Sequence, residues 1–406
     1  MTHIPQGWGE GPGGDYEALA QRFRGLFDEI RAGAIERERG LPHQEVRQLA
    51  DAGLTALRVP KEYGGGGATL SEFFALLIEL GAADSNLVQA IRAHAGFVEV
   101  VLNSKRGEWR ERWLRRIAEG ALVGPGRGER GDEVKQGVLG TRLSKQGEQW
   151  ILNGTKFYST GLAYADWADV GAVGDDGTPY AVVVRRDAPG VEVVDDWNGF
   201  GQRLTSSGTT HYRNVVVDAA EIRSDDEKFP YSQAFYQLFH LANIAGIGRA
   251  VADETAALVR ERKRSFSSGN APLVRDDPQI LEVVGRLRGA AYSAGAIVLQ
   301  NARAIERAWQ ASASGDEAAT RAAREIVDLE VAQAQTIVIE LILLSSSHLF
   351  DALGASSTLP QHGLDRFWRN VRTLATHNPR VYKDRIAGDF AVNGTPAQDQ
   401  WKIGVV

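Results

Sequence analysis

Three groups of side chains in this 406-residue sequence stand where they could do chemistry. The first is His377, followed by Asn378 and Pro379. Proline suits a first helical position and asparagine the N-cap before it, so the tripeptide predicts a break between helices. An imidazole there can project into a cleft and exchange protons near neutrality. The alternative is a histidine simply hydrogen-bonded into the junction. The second group is the hydroxyl pair Ser159 and Thr160 in Phe157-Tyr158-Ser159-Thr160-Gly161. A hydroxyl can hydrogen-bond a ligand without adding charge. A threonine at a strand edge also satisfies β propensity alone, and a one-residue shift decides which hydroxyl faces a cleft. The third group is cationic. Arg366, Arg369 and Arg372 recur every third residue along one helical stripe, and Arg264 closes the run Arg260-Glu-Arg262-Lys263-Arg264. Guanidinium forks suit phosphate, but interhelical ion pairs or a solvated helix end account for the same pattern.

Two further residues are ambiguous. His94, in Ile-Arg-Ala-His-Ala-Gly-Phe, lies on an apolar helix, where a lone histidine is commonly a satisfied core residue. Trp197 follows Asp195-Asp196 and precedes the Gly199–Gly201 turn, so it is either an aromatic wall or a core residue of the β region.

Other chemistries find no support. Gly246-Ile-Gly248 sits inside a helical pattern rather than after a strand, so close helix packing explains it better than a dinucleotide site. Gly64 to Gly67 lacks the Lys-Ser/Thr of a P-loop; no HExxH or GxSxG occurs, and no metal site is expected. The sequence has no cysteine and a formal net charge of -6. These fit a reducing cytoplasm and argue against a polyanion-binding surface, so no nucleic acid partner is expected. Ile337 to Leu344 is too short for a bilayer and reads as a buried helix, so no membrane association is expected either.

The elements that must hold these residues change character along the chain. After a Gly/Pro-rich tail (1–14), apolar residues recur at helical spacing over Tyr16 to Arg39, His43 to Ala52, Leu70–Leu80, Leu87–Leu102 and Trp109–Ala118. Short β-branched runs such as QWILNG, YAVVVRR and THYRNVVV fill Gly137 to Val217 and suggest a small barrel. Long Ala-rich helical patterns return over Phe235–Arg264, Pro278–Gln310, Glu317–Leu353 and Asp365–Thr376, a four-helix-bundle signature. The expected fold is α+β and multidomain: an N-terminal helical domain (15–120), a central β-barrel (121–225) and a C-terminal helical bundle (226–406).

Four segments carry a resemblance: VPKEYGGGGATL (59–70), WILNGTKFYSTG (150–161), WNGFGQRLTSSGTTHYRNVVV (197–217) and LGASSTLPQHGLDRFWRNVRTLATHNPRVYKDRIAGD (353–389). In this order they resemble the acyl-CoA dehydrogenase superfamily. DRFWRNVRT followed by His-Asn-Pro is most similar to its reduced-flavin-dependent monooxygenase branch, exemplified by dibenzothiophene monooxygenase. The dehydrogenases commonly place a glutamate base ahead of a Gly-Thr where this chain has His377.

The resemblance implies an oxidoreductase that takes externally reduced flavin, FMN (as FMNH2) or alternatively FAD, from a separate reductase. With O2 it would form a flavin C4a-hydroperoxide and oxygenate a small substrate at sulfur, nitrogen or electron-rich carbon, working as a homotetramer. It implies His377, Thr160, Ser159 and His94 as catalytic or pocket-lining. Tyr158, Thr160, Trp197, Arg264, Phe266, Arg366, Arg369 and Asn378 would contact the flavin, and a neighbouring subunit would complete the phosphate site. The chain departs from the branch at Gly124 to Arg130, where relatives carry a polar Asn/Ser loop; Arg127 and Arg130 there suggest an acidic or carbonyl-bearing substrate. Two other readings remain open: an FAD-dependent dehydrogenase with a relocated base, and a catalytically silent assembly partner.

Overall fold

The computed structural model describes residues 7–9, 11–13, 15–34, 40–131, 139–225 and 228–397. The rest of the expected tail, and the parts of the first helix and of the entrance loop at 35–39 and 132–138, lie outside the described residues.

Five helices come first: α1 (Tyr16–Gly33), α2 (His43–Asp51), α3 (Leu70–Ala83), α4 (Ser85–Asn103) and α5 (Gly107–Ala118). Their ends follow local chemistry. Gly53 takes a left-handed φ of 84° just past α2, as a chain-reversing glycine should. Thr69 and Glu72 form a reciprocal capping box at the start of α3. Asp84 accepts from the Asn86 N–H at the start of α4. Trp8 is not part of a free tail, because Arg288 and Arg249 stack on its ring, 4.1 and 5.2 Å from the centroid.

The middle region holds β1 (Val123–Gly126), β2 (Arg142–Gln146), β3 (Gln149–Lys156), β4 (Trp167–Gly174), β5 (Pro179–Arg185), β6 (Val191–Val193), β7 (Thr210–Val217) and β8 (Ile222–Ser224). They form one sheet in the order β6-β7-β3-β2-β4-β5-β8, with β1 added beside β4. The expected barrel is thus corrected to a sheet with two edges, since β6 and β8 are three-residue strands that do not pair with each other.

The C-terminal part contains α6 (Ser232–Glu261), α7 (Pro278–Ala313), α8 (Glu317–His348), α9 (Asp365–Ala375) and α10 (Lys383–Asn393). Three long helices pack on one another, the short α9 lies against α6 and α8, and α3 of the N-terminal part inserts beside α6 and α7. Phe73 and Phe74 of α3 meet Phe235 and Phe239 of α6 there. Gly246 belongs to this seam: a Cβ on it would stand 2.6 Å from the Gly81 backbone, so close helix packing is indeed its role. The apolar run in α8 is buried on one side only. Val338, Ile339 and Ile342 face the core, whereas Ile337 and Leu344 are exposed.

Candidate functional site

The site is built where α4, α6 and the end of α9 meet the loop between β6 and β7. Two hydrogen bonds set α4 and α9 side by side. Asn370 donates to the Ser85 hydroxyl over 3.0 Å, and Arg92 donates to His377 Nε2 over 3.0 Å. Ser85 to Arg92 is a seven-residue step, about two turns or 10 Å along one face of α4, and Asn370 to His377 is the same step from within α9 to the turn just past its end. The two helices therefore run parallel, and the contacts mark two ends of one framework.

The Gln202 end is tied to the β region. Gln202 donates its N–H to Asn370 Oδ1 (2.7 Å) and its side-chain amide to Ser85 (3.1 Å). Thr205 Oγ1 donates to the Gln202 carbonyl over 2.7 Å, lies 2.7 Å from Ser207 Oγ, and Ser207 in turn lies 2.8 Å from Thr160 Oγ1. Each hydroxyl has one hydrogen, and a carbonyl only accepts. The chain therefore runs one way, with Thr160 donating to Ser207, Ser207 to Thr205, and Thr205 to Gln202. Thr160 spends its hydrogen inside the protein and keeps its remaining lone pair as an acceptor. Ser159 is buried and accepts from Thr210 Oγ1 over 2.9 Å, so the pair splits, with Ser159 committed to the sheet.

The aromatic residues beside it are partly open. Tyr158 is 57% exposed with a left-handed φ of 63°. Its ring lies 6.3 Å from that of Trp197, edge on, while Trp197 Nε1 donates to the Gln202 carbonyl over 3.0 Å.

At the other end stands a cluster of nitrogen groups. His377 and His240 of α6 have ring centroids 4.4 Å apart. Arg92 lies over the ring of Tyr236, one helical turn before His240, at 5.1 Å. Gly96 permits this approach, since a Cβ on it would stand 2.0 Å from the Tyr236 hydroxyl. Because guanidinium always donates, His377 Nε2 must be an unprotonated acceptor. Desolvation, with the Arg92 charge second, pushes the His377 pKa down from 6.5 to about 3, even though the ring opens to solvent on one side. Burial first, then competition with His377 for a proton and the Arg92 charge, push His240 well below its usual range. Among the described residues no carboxylate acts on any of these three groups.

Other expected residues lie elsewhere. His94 has both ring nitrogens engaged by backbone: Nδ1 accepts from the Val123 N–H (3.2 Å), and Nε2 contacts the Thr55 carbonyl (3.1 Å). It sits two residues after Arg92, hence on roughly the opposite face of α4. Asn378 and Pro379 do not cap α10. The segment is a turn leading into a short 3-10 turn, Arg380–Tyr382, and Asn378 instead donates to Gln237 Oε1 over 2.5 Å. Arg366 is buried against Glu254 (2.5 Å) and the Gly363 carbonyl (3.0 Å), so its guanidinium is engaged within the chain. Arg369 pairs with Asp365 (2.9 Å) and holds the Phe200 carbonyl (3.0 Å), so it fastens the turn after Trp197. Arg127 is taken up by Asp169 and Asp225 and does not address an acidic substrate.

Arg264 and Phe266 border a separate cavity of about 520 Å³, with Arg262, Lys263, Ser357 and His362. It lies beyond the C-terminus of α6. From His240 to Glu261 the helix rises about 30 Å at about 1.5 Å per residue, so within one chain Arg264 and His377 cannot reach one small flavin. Arg92, Tyr236, His240 and Ser207 were not singled out by the sequence reading. Arg92 and His240 carried a usable signal, as polar residues inside apolar helices.

This architecture, helical domains at both ends of a central sheet with a cluster of polar side chains among α4, α6 and the end of α9, is that of a known class. The chain belongs to the acyl-CoA dehydrogenase family, whose N-terminal, middle and C-terminal domains match residues 14–121, 129–215 and 238–379. It is 29% identical over 393 residues to dibenzothiophene monooxygenase of Rhodococcus qingshengii, covering 91% of this chain and 92% of that protein. Among solved structures it is similar to FMN-bound TdsC from Paenibacillus sp. A11-2, with a TM-score of 0.86 and 26% identity over 94% of this chain and 99% of that one. It is also similar to methanesulfinate monooxygenase MsuC from Pseudomonas fluorescens, with a TM-score of 0.84 and 26% identity over 94% and 98% of the two chains. No helix among the described residues is long and apolar enough to cross a membrane.

Proposed function

We propose that the protein is the oxygenating component of a two-component flavin monooxygenase, using FMNH2 delivered by a separate reductase together with O2. The observation that carries this reading is the company His377 keeps: a cation and a second imidazole stand against it, and among the described residues no acid does. Removing an α-proton from a thioester needs a base strong enough at neutral pH. An imidazole whose Nε2 already accepts from Arg92, and whose pKa burial and that charge lower, is poorly suited to the task. It suits hydrogen bonding and orientation instead.

The residues fit a reduced flavin. Reduced flavin carries a hydrogen on N5, which requires an acceptor, and Thr160 has its own hydrogen already committed to Ser207. Oxidised flavin has a lone pair on N5 and would leave two acceptors facing each other. Tyr158 and Trp197 would border the ring system, as proposed contacts. When bound, the reduced flavin supplies the electrons that activate O2 and the oxygen atom that is transferred. The protein's share is to bind, to hold His377 neutral beside the reacting oxygen, and to keep water away.

The assembly is proposed as a homotetramer in which Arg264 and Phe266 of one subunit serve the flavin phosphate of another. The separation of about 30 Å along α6 supports it. So do the exposed apolar side chains of α8 and of the segment from Val381 to Val392, of which Val381 and Val392 are 77% and 82% exposed.

The test is to mix the protein anaerobically with FMNH2 and then add O2, following absorbance in the near ultraviolet. A transient band distinct from free oxidised FMN is expected. Immediate formation of oxidised flavin, with FMNH2 and FADH2 alike, would overturn the reading. So would a yellow purified protein whose flavin bleaches on adding an acyl-CoA.

A further inference from the structure

Dibenzothiophene is neutral and methanesulfinate is an anion, so the two named relatives leave the charge of this chain's substrate open. The residues of the cleft bear on it directly. Arg92 has one polar partner among the described residues, His377 Nε2, and that partner is uncharged. One N–H of the guanidinium is used there, and among the described residues no protein acceptor takes the others. Its flat face rests on Tyr236, which fixes the plane of the fork but supplies no counter-charge. Behind it, both ring nitrogens of the buried His240 are without hydrogen-bond partners among the described residues. Compare Arg127, Arg223, Arg58 and Arg366, partly or fully buried arginines of this same chain, each paired with a carboxylate. A partly desolvated cation beside two neutral imidazoles is costly unless something negative completes it.

Resting on the proposed function, we propose that Arg92 is the recognition site for an anionic substrate. Its class is a small organic acid whose head presents two oxygens on one atom, such as a sulfinate or carboxylate. The unused N–H groups of the fork match two such oxygens, which a single ammonium could not. Arg92 would at the same time hold the substrate head next to His377. The one other source of negative charge is the reduced flavin itself, and the experiment separates the two.

The protein is titrated with benzenesulfinate and with methyl phenyl sulfoxide, which replaces one anionic oxygen by a methyl group. Titrations are done calorimetrically, without oxygen and with saturating FMNH2, on the wild type and on Arg92→Gln and Arg92→Lys. The wild type is expected to bind the sulfinate about tenfold or more tighter than the sulfoxide, the worth of a charge-assisted pair. In Arg92→Gln the two affinities should converge, in Arg92→Lys part of the difference should remain, and FMNH2 affinity should stay unchanged in both. Since Arg92 lacks a counter-ion, neither variant should melt below the wild type; if Arg92→Gln does not fold, the Lys variant decides. Equal affinities in the wild type overturn the proposal. So does a loss of FMNH2 affinity in Arg92→Gln with the sulfinate preference intact, which would assign the guanidinium to the flavin. Because binding is read without turnover, the result stands apart from whether oxygenation is observed.

Discussion

The imidazoles of His377 and His240 lie 4.4 Å apart with their planes tilted by 46°, and the guanidinium of Arg92 stands 3.0 Å from His377 Nε2. Three basic groups in one desolvated cluster can hold one positive charge between them, and the guanidinium keeps it. This makes the folded state sensitive to acid. His377 and His94 are pushed down to about 3 and about 4, and His240 well below 6.5. Between those values and the ordinary pKa of about 6.5, the unfolded chain binds protons that the folded chain does not. Stability is therefore complete above about pH 6.5 and falls as the pH is lowered. Replacing His240 by leucine removes one such group along with two unpaired buried nitrogens. Urea unfolding at pH 7.5 and pH 5.0 should show a smaller loss of midpoint in His240→Leu than in the wild type. An identical loss in both would mean that His240 is not held neutral.

His377→Ala should keep flavin binding and lose coupling. The imidazole touches Arg92 and His240 but supports no helix cap, so the fold should survive its removal. Hydrogen peroxide released per NADH consumed by the reductase should rise, with product formation falling by about 10²-fold, the usual worth of one preorganised hydrogen-bonding group. Unchanged coupling would take His377 out of the mechanism.

The helices were legible in the sequence because amphipathic periods of 3.6 are long and repetitive; α2, α4, α6, α7 and α9 begin and end within a few residues of the expected places. Closure of the sheet was not, since whether β6 meets β8 depends on strand lengths that short β-branched runs do not encode. The arginine stripe shows the same limit more sharply. Spacing put Arg366 and Arg369 on neighbouring positions of one helix, but Glu254 and the Phe200 carbonyl, which claim them, come from more than a hundred residues away. His377 was found through its sequence neighbours, though not for the capping reason first given, because Asn378 turns inward to Gln237. Arg92 stands out in the sequence as a cation inside an apolar helix, but its pairing with His377 spans 285 positions and no local pattern encodes it.

Thr160→Val tests the direction of the hydroxyl chain. Valine keeps the shape and removes both the donor to Ser207 and the acceptor facing the cleft. If that acceptor takes the N5–H of reduced flavin, FMNH2 should bind about tenfold more weakly while oxidised FMN changes little, the cost of one hydrogen bond. Thr160→Ser should restore the preference. Equal weakening of both redox states in the valine variant would show that the hydroxyl serves only the loop.

Arg264 and, after it, Arg366 were candidates for the flavin phosphate, and their surroundings in the structure differ. Arg366 is buried and bound to Glu254 and two backbone carbonyls. Its removal leaves a partly buried carboxylate unpaired, so Arg366→Ala should cost about 2 kcal/mol of stability. Any loss of flavin affinity there should follow the loss of fold. Arg264 is exposed at the edge of the 520 Å³ cavity, and its side chain has no partner among the described residues. Arg264→Ala should leave the melting temperature unchanged and weaken FMNH2 by about tenfold. Reduced riboflavin, which lacks the phosphate, should bind both proteins alike. The comparison of the two flavins is decisive: if Arg264→Ala weakened riboflavin as much as FMN, the guanidinium would not be reading a phosphate, and the cavity beyond α6 would have to be given another occupant.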